Sequence, residues 1–355
     1  MYDVAIIGLG PAGSTLARLL DKSLSVIAID KKNLSSSDGF RKPCGGLLSI
    51  DAQRALSKFN LTLPKSILVD PQIFAVKTID TKQKLVRHYQ RFYINMDRHK
   101  FDQWLMRLIP RNIEMAEDAF CKNILKTKNR FEITYEQGTQ EIKVHAKYVV
   151  GADGSDSFVR KKLFENKKIE RYLSIQQHFV DQRVKPFYSC IFDSDITDSY
   201  CWSISKDGHF VLGGAFPING GKQLFEQLKN KVEELWFPLG DPLLTEACLV
   251  SHPKKISDFC AAGSGTFLVG EAAGFISPSS LEGISYALNT AHILAKVLNS
   301  QCKNPCRTYR IKIVPIRAKL LMKILKSQFM YRPFLRKLVM KSGLLSIEVV
   351  KEDQF

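Results

Sequence analysis

Three glycines near the start of the chain have the spacing of a turn that binds a dinucleotide. Gly8, Gly10 and Gly13 form a Gly-x-Gly-x-x-Gly pattern that follows an apolar run and precedes a predicted helix. The first glycine allows a tight turn, the second lets a pyrophosphate approach the backbone at the helix N-terminus, and the third lets helix and strand pack closely. Asp30 ends the next apolar run, where its carboxylate can accept a hydrogen bond from a ribose hydroxyl. FAD and NAD sites share this pattern.

Two further glycine-rich segments, 151–157 and 270–274, each follow an apolar run. Their glycines and acids are Gly151, Asp153, Gly154, Gly270, Glu271 and Gly274. The first segment resembles the GxDGxxSxxR element of the flavoprotein hydroxylase superfamily, whose aspartate region helps to hold the dinucleotide. The second resembles the Gly-Asp-Ala-Ala-Gly element of the same superfamily, with Glu271 in place of the aspartate that binds the ribityl chain. The order of the three motifs along the chain is also that of the superfamily.

Three other segments narrow the resemblance: 42–48 (KPCGGLL), 97–102 (DRHKFD) and 200–208 (YCWSISKDG). They resemble segments of geranylgeranyl-reductase-like proteins and, within that group, of CbrA-type FAD-binding proteins. The last is similar to the YxWxFP element with which such reductases line the substrate cavity, although Ile204 and Ser205 replace Phe and Pro. The resemblance covers nearly the whole chain and implies FAD as the cofactor.

The same resemblance implies where the flavin lies. It places residues 44–46 beside the isoalloxazine ring, Arg98 near the dinucleotide, and the N-terminus of the helix after Gly283 toward the ring. Together the glycine pattern and the resemblance predict a cofactor site formed by Gly8, Gly10, Ala12, Gly13, Asp30, Lys31, Cys44, Gly45, Gly46, Arg98, Asp153, Gly154, Gly270, Glu271, Gly274, Gly283 and Ile284.

Three residues are candidates for catalysis or substrate contact. A thiol at Cys44 could donate a proton to a carbon that receives hydride from the flavin. Alternatively, Cys44 only packs under the ring. Tyr200 and Trp202 are two residues apart, so on a strand they face the same side and could line an apolar pocket. Ordinary core aromatic residues would show the same pattern.

The composition is that of an ordinary globular enzyme, with 45% hydrophobic and 25% charged residues. The eight cysteines form no paired CxxC modules and the seven histidines no HxxxH or HxH spacing, so we predict reduced thiols and no metal site. A second GxGxxG pattern is absent, so NAD(P)H or another reductant is expected to bind only transiently. The absence of a signal-like leader and of a long uncharged apolar stretch predicts a cytoplasmic protein.

A strong basic excess is concentrated near the end of the chain. The net charge is +17, and residues 301–341 contain twelve Lys or Arg and no Asp or Glu, interleaved with apolar residues. This pattern predicts cationic amphipathic helix. It could pack as a lid with a solvated basic face, or bind peripherally to an anionic membrane at its inner face. No recognition module for nucleic acid accompanies the charge, so nucleic acid is not an expected partner.

The predicted elements combine these residues in one interleaved fold. Strands are predicted at 4–7, 25–30, 70–93, 131–135, 143–150, 171–216 and 266–269, and helices at 11–22, 97–109 and 283–299. We therefore predict an α/β (α+β) fold, with a Rossmann-like FAD-binding domain, an antiparallel-sheet substrate domain and a C-terminal helical segment. The predicted limits are 1–70, 97–165 and 260–300 for the first domain, 71–96 and 166–259 for the second, and 301–355 for the helical segment.

The function expected from these features is reduction of a carbon–carbon double bond in an apolar small molecule or isoprenoid lipid by reduced FAD. Two alternatives remain open. An FAD-dependent monooxygenase would use the same cofactor site, and a non-catalytic prenyl-lipid-binding protein of the same fold would need no flavin.

Overall fold

A computed structural model describes residues 1–33, 42–164, 168–180 and 187–349. The fold is mixed α/β, with two sheets and packed helices. The strands are β1 (Tyr2–Ile7), β2 (Val26–Ile29), β3 (Leu47–Leu48), β4 (Ile73–Asp80), β5 (Leu85–Asn95), β6 (Glu114–Ala116), β7 (Ala119–Lys126), β8 (Phe131–Gln137), β9 (Gln140–Gly151), β10 (Arg171–Val180), β11 (Phe187–Phe192), β12 (Cys201–Lys206), β13 (His209–Phe216), β14 (Leu244–Ser251), β15 (Ala262–Gly263), β16 (Thr266–Leu268) and β17 (Ser346–Ile347). The helices are α1 (Pro11–Leu19), α2 (Ile50–Lys58), α3 (Arg98–Arg107), α4 (Phe158–Leu163), α5 (Gly221–Leu235), α6 (Ile284–Asn299), α7 (Pro305–Lys312), α8 (Val314–Tyr331) and α9 (Pro333–Ser342).

The eight-stranded sheet has a parallel centre in the order β16-β9-β1-β2-β6. The predicted βαβ opening is confirmed, because β1 and β2 pair in parallel and α1 connects them. The first half of β9 pairs antiparallel with β8, which in turn pairs antiparallel with β7. All four residues of β2 are buried, as expected for a strand with both faces covered.

The nine-stranded sheet has the order β14-β10-β13-β12-β11-β4-β5-β17, and β3 pairs with β5. The predicted antiparallel arrangement is confirmed for β10, β12 and β13, whereas β11 also pairs in parallel with β4. An alternating pattern predicts a strand but not the direction of its partner, which explains the difference. Residues 181–186 of the predicted strand region lie outside the described residues.

The helices next to the predicted cofactor motifs pack closely. α6 contacts α1 over the eight-stranded sheet, and α2, α3 and α6 share a second apolar cluster that includes Phe101 and Leu288. α3 begins where its sequence predicts, because the Asp97 side chain accepts a hydrogen bond of 3.0 Å from the Lys100 amide.

The basic C-terminal segment forms three helices, α7, α8 and α9, within the described residues. Pro315 and Pro333 lie in the first turns of α8 and α9, where a missing amide hydrogen is tolerated. Among the described residues, none of the helices combines the length and apolar character required to cross a membrane. Residues 350–355 lie outside the described range, and the domain limits given above remain predictions.

A buried ion pair joins α9 to the nine-stranded sheet. The Arg336 Nε atom donates to the Asp80 carboxylate at 2.7 Å, and both side chains are almost fully buried. The Arg336 guanidinium also donates to the Met330 carbonyl and lies 4.4 Å from the centre of the Phe192 ring. This pair holds the end of the C-terminal segment against β4.

Removing the carboxylate charge of this pair should destabilise the fold. We expect Asp80→Asn to lower the free energy of unfolding by about 3 kcal/mol, because it leaves a buried guanidinium without its counterion. The control is Asp195→Asn, which breaks a surface pair with Lys82 and should cost less than about 1 kcal/mol. Urea unfolding checks both values, and equal losses would show that Arg336 does not depend on Asp80.

Candidate active site

The three glycine segments meet at one edge of the eight-stranded sheet. β1, β9 and β16 are adjacent parallel strands, so their carboxyl ends lie side by side. The Ala152 amide donates to the Ile7 carbonyl at 2.8 Å, and the Val269 amide donates to the Gly151 carbonyl at 3.0 Å. The structure therefore brings together the turns that follow residues 7, 150 and 269.

In the first turn, backbone conformation and packing require glycine at positions 8 and 13 but not at position 10. Gly8 has a φ of 99°, and a Cβ at Gly13 would overlap the Gly8 carbonyl. Gly10 has an extended backbone, and the nearest atom to an added Cβ would be the Lys32 Nζ, 3.9 Å away. Packing and backbone conformation thus leave Gly10 unexplained, whereas a pyrophosphate approaching this turn would explain it. Ala12 lies in the first turn of α1.

Asp30 shapes the same turn from the end of β2. Its buried carboxylate accepts hydrogen bonds from the Leu9 amide and, at 2.7 Å, from the Lys32 amide. Because each carboxylate oxygen can accept more than one hydrogen bond, a ribose hydroxyl could still bind. The predicted cofactor residue Lys31 is exposed, whereas its neighbour Lys32 is buried.

One carboxylate is shared by two cations beside Gly10. Asp102 of α3 accepts a 2.8 Å hydrogen bond from the Arg98 Nε and forms a 3.1 Å ion pair with Lys32. Burial would raise the pKa of Asp102, but the two cations hold it at about 2. The Cys44 thiol lies close enough to the Arg98 guanidinium to affect its pKa. The two cations and Asp102 carry one more positive than negative charge, and Asp30 adds a carboxylate at the same turn.

The second glycine segment forms hydrogen bonds within itself, and Arg160 joins it to the third glycine segment. The Asp153 carboxylate accepts from the Ser157 hydroxyl at 2.6 Å and from the Val159 amide at 3.0 Å, so it supports the start of α4. Burial raises the pKa of Asp153. Arg160 donates from its guanidinium to the carbonyls of Ser155 and Ala272, at 2.9 and 2.7 Å. These bonds join the second and third turns.

Glu271 faces Lys42, which is not among the predicted cofactor residues. Its carboxylate accepts hydrogen bonds from the Lys42 Nζ at 2.6 Å and from the Ser251 amide at 2.9 Å. Burial opposes the charge on Lys42, but Glu271 holds the pKa of Lys42 above its usual value. Gly154 adjoins the same ammonium, since a Cβ there would lie 3.9 Å from the Lys42 Nζ. The predicted ribityl contact at Glu271 remains a prediction.

The third turn leads to the N-terminus of α6. Gly270 and Gly274 both have positive φ, and Gly283 precedes Ile284, the first residue of the helix. The Glu282 carboxylate accepts from the amide and hydroxyl of Ser285, both at 2.8 Å. One helix amide is therefore already bonded within the chain.

The segment 44–46 lies between α3 and the nine-stranded sheet. The Gly46 amide donates to the Cys44 Sγ at 3.4 Å, and a Cβ at Gly45 would lie 3.0 Å from the Ile204 side chain. The Lys206 ammonium adjoins Gly46 and donates to the Asn95 side chain and the Met96 carbonyl, at 2.7 and 2.8 Å. Burial lowers the pKa of Lys206 to about 8.

Tyr200 and Trp202 belong to a buried aromatic cluster. Their rings lie 5.8 Å apart, and the Tyr200 hydroxyl donates to the Ser280 carbonyl at 2.8 Å. The Trp202 Nε1 atom is buried and has no hydrogen-bond partner among the described residues. The cluster comprises Tyr172, Phe192, Tyr200, Trp202, Ile204 and Ala215, with Leu47, Tyr188, Cys190, Val250, Leu281, Met330 and Tyr331 packed against it.

One face of β12 connects this cluster to segment 44–46. Alternate residues of a strand point to the same side, so Trp202, Ile204 and Lys206 form a row that continues from Tyr200. Ile204 contacts both the aromatic cluster and Gly45. The predicted substrate residues and the predicted flavin-ring residues are therefore neighbours.

The charged residues Lys32, Lys42, Asp102 and Lys206 were not among the predicted site residues. Lys42, Asp102 and Lys206 lie inside segments that carried the family resemblance, but most of their partners are far away in sequence. For Lys206 the alternation of β12 was a further local signal, because it puts Lys206 on the face of Trp202.

Comparison with known proteins identifies the family. No protein-family model matches the chain. Protein CbrA of Escherichia coli O6:H1 is 47% identical over 351 residues, which cover 99% of this chain and 96% of that protein. The chain belongs to the CbrA family. This confirms the resemblance inferred from its motifs.

Solved structures confirm the fold of this CbrA-family protein. A geranylgeranyl bacteriochlorophyll reductase-like protein from Thermoplasma acidophilum has a TM-score of 0.81 at 21% identity, covering 99% of this chain and 93% of that one. PqsL from Pseudomonas aeruginosa, a probable FAD-dependent monooxygenase, has a TM-score of 0.72 at 15% identity, covering 97% and 99%. The fold is therefore that of Rossmann-type flavoproteins.

The space beside Gly10 provides a direct test of dinucleotide binding. We expect Gly10→Ala to weaken FAD binding about tenfold or more while leaving the unfolding temperature unchanged, because the methyl group fits the protein but blocks a pyrophosphate. Titration with FAD by calorimetry and thermal unfolding without FAD measure the two effects.

Gly13→Ala is the matched contrast for this test. Its methyl group would collide with the Gly8 carbonyl, so it should lower the unfolding temperature even without FAD. Unchanged FAD affinity in Gly10→Ala would contradict a pyrophosphate site at this turn.

Proposed function

We propose that the protein is an FAD-dependent oxidoreductase that reduces a carbon–carbon double bond of an apolar, isoprenoid-type molecule. The observation that carries the proposal is the face of β12, which runs from the aromatic cluster to segment 44–46. An apolar chain along this face would have its reacting end where the family resemblance implies the isoalloxazine ring. The structural likeness to a geranylgeranyl bacteriochlorophyll reductase-like protein supports this choice of substrate class.

The charges and spaces around the three turns fit FAD. Gly10 and Lys32 would receive the pyrophosphate, and Asp30 would bind the adenosine ribose. Glu271 would accept from the ribityl hydroxyls while keeping its bond to Lys42. FAD, when bound, would supply hydride chemistry.

The protein's own side chains would exclude water and supply a proton. The aromatic cluster provides an apolar surface, and the unpartnered Trp202 indole N–H can donate to a polar group of the substrate. The Cys44 thiol is the proposed proton donor to the reduced carbon, and the Lys206 ammonium beside Gly46 can return the proton. If Cys44 only packs under the ring, its replacement by serine should not slow the reaction.

The depressed pKa of Lys206 predicts a pH dependence. The ammonium is protonated below pH 8 and loses its proton as the pH rises through about 8, so turnover should fall there. Neither Lys206→Arg nor Lys206→Met leaves a group that releases a proton in this range, so both variants should turn over slowly and lack this fall. Initial rates between pH 6 and about 10 provide the test. A flat profile in the parent protein would exclude Lys206 as the proton source.

Anaerobic reoxidation tests the reaction itself. Protein loaded with FAD and reduced by dithionite should be reoxidised by geranylgeraniol without oxygen, and mass spectrometry should find a product with added hydrogen. Cys44→Ser should slow this step about 100-fold while retaining flavin. Cys302→Ser, at a thiol that contacts the Val297 carbonyl and the Thr308 hydroxyl, should not slow it. Protein that stays colourless with excess FAD would instead support a non-catalytic prenyl-lipid-binding protein.

A monooxygenase is the second candidate, and the fold shared with PqsL favours it. In that case the reduced flavin would persist with substrate until air is admitted, and the product would contain oxygen. NAD(P)H or another reductant would bind transiently as the electron donor in either reaction. The cytoplasmic location expected from the sequence remains a prediction.

A further inference from the structure

Helix α8 is apolar on two opposite faces. Leu320 and Ile324 form its buried face and are at most 5% exposed. Met322, Leu325 and Phe329 are 64%, 46% and 59% exposed. Leu320 and Phe329 are separated by about two and a half turns, so their side chains point in opposite directions. Packing on the protein explains the first face and leaves the second unexplained.

The exposed apolar surface continues beyond α8. Phe334 and Leu338 of α9 are more than half exposed, as are Leu344 and Leu345 after it. Single exposed apolar residues are common in proteins, but a succession along two consecutive helices indicates an interaction surface.

Positive charges surround this surface. Of the twelve basic residues in 301–341, Lys319 and Arg336 alone form ion pairs with carboxylates of the described residues. Lys323 and Lys326 fall between the buried and exposed faces of α8, given about 100° per residue. Arg91 of β5 is close enough to repel Lys326. The exposed apolar residues therefore have cations beside them and no acid in their own segment.

We propose that the exposed face of α8, continued by α9, docks on a membrane leaflet that contains anionic lipid. Apolar side chains would enter the acyl region while the lysines remain at the headgroups, with the helices lying in the plane of the interface. A second copy of the chain would bring the same positive charge to this face. Nucleic acid would leave the apolar residues exposed. The combination of apolar and basic residues favours an anionic lipid surface over both.

The docking face is next to the proposed substrate site. Met330 and Tyr331, at the end of α8, pack against the aromatic cluster. Transfer of a lipid from the leaflet to that cluster rests on the proposed function, whereas binding to vesicles does not. Gly10→Ala should therefore bind vesicles as the parent protein does, even when it has lost flavin.

Sedimentation with lipid vesicles tests the docking surface. The parent protein should bind phosphatidylglycerol vesicles, bind phosphatidylcholine vesicles much more weakly, and dissociate as salt is raised. The triple variant Met322→Ser, Leu325→Ser and Phe329→Ser should bind phosphatidylglycerol about tenfold or more weakly. Lys323→Gln with Lys326→Gln should weaken binding and reduce its salt dependence.

The control is a variant of β7, a strand of the eight-stranded sheet, in which the replaced apolar side chains are about as exposed as those of α8. Phe120→Ser with Leu125→Ser, on β7, replaces side chains that are 52% and 48% exposed and should leave vesicle binding unchanged. Equal binding to both lipids, or equal losses in the α8 and β7 variants, would overturn the proposal. Light scattering supplies the other decisive outcome, since an α8 variant that converts a dimer to a monomer would show that a second copy covers this face.

Discussion

Parallel pairing of β1 with β9, and of β9 with β16, is the constraint on which the candidate site depends. Strands that run in the same direction end at the same edge, so turns at residues 8, 151 and 270 become neighbours although more than a hundred residues separate each pair. The long segments between these turns supply eight of the nine strands of the other sheet. The nine-stranded sheet also places β12 next to segment 44–46, so the predicted cofactor residues and the predicted substrate residues are neighbours between the two sheets.

Local sequence patterns predict those parts of the site whose structure is determined by residues close together in the chain. Neighbouring residues determine the turn at Gly8, the cap at Asp97 and the apolar runs before each glycine segment, so these features can be predicted from sequence. The ion pairs Lys32–Asp102 and Lys42–Glu271 cannot be predicted in this way, because a pair between distant segments leaves no periodic signal. The exposed apolar face of α8 could not be predicted either, because the spacing of apolar residues does not show which of them pack against the protein.

The charges of the site are arranged differently at its turns. Around the first turn, Lys32 and Arg98 pair with Asp102 while the Asp30 carboxylate bonds two backbone amides, and around the third turn Glu271 pairs with Lys42. A neutral polyol could therefore bind at the third turn without leaving either charge of the Glu271–Lys42 pair unpaired. The aromatic cluster beyond β12 consists of apolar and aromatic side chains, and the Arg336 guanidinium, paired with Asp80, lies 4.4 Å from its Phe192 ring.

Arg160 restricts how far the second and third turns can move when a ligand binds. Its guanidinium holds carbonyl groups of two different turns, at Ser155 and Ala272, so neither turn can shift without breaking a charge-assisted hydrogen bond. These two turns are thereby held in place before any ligand arrives. A dinucleotide bound there would lose its own freedom but would not have to order the second and third turns as well, and preorganisation of this kind favours binding.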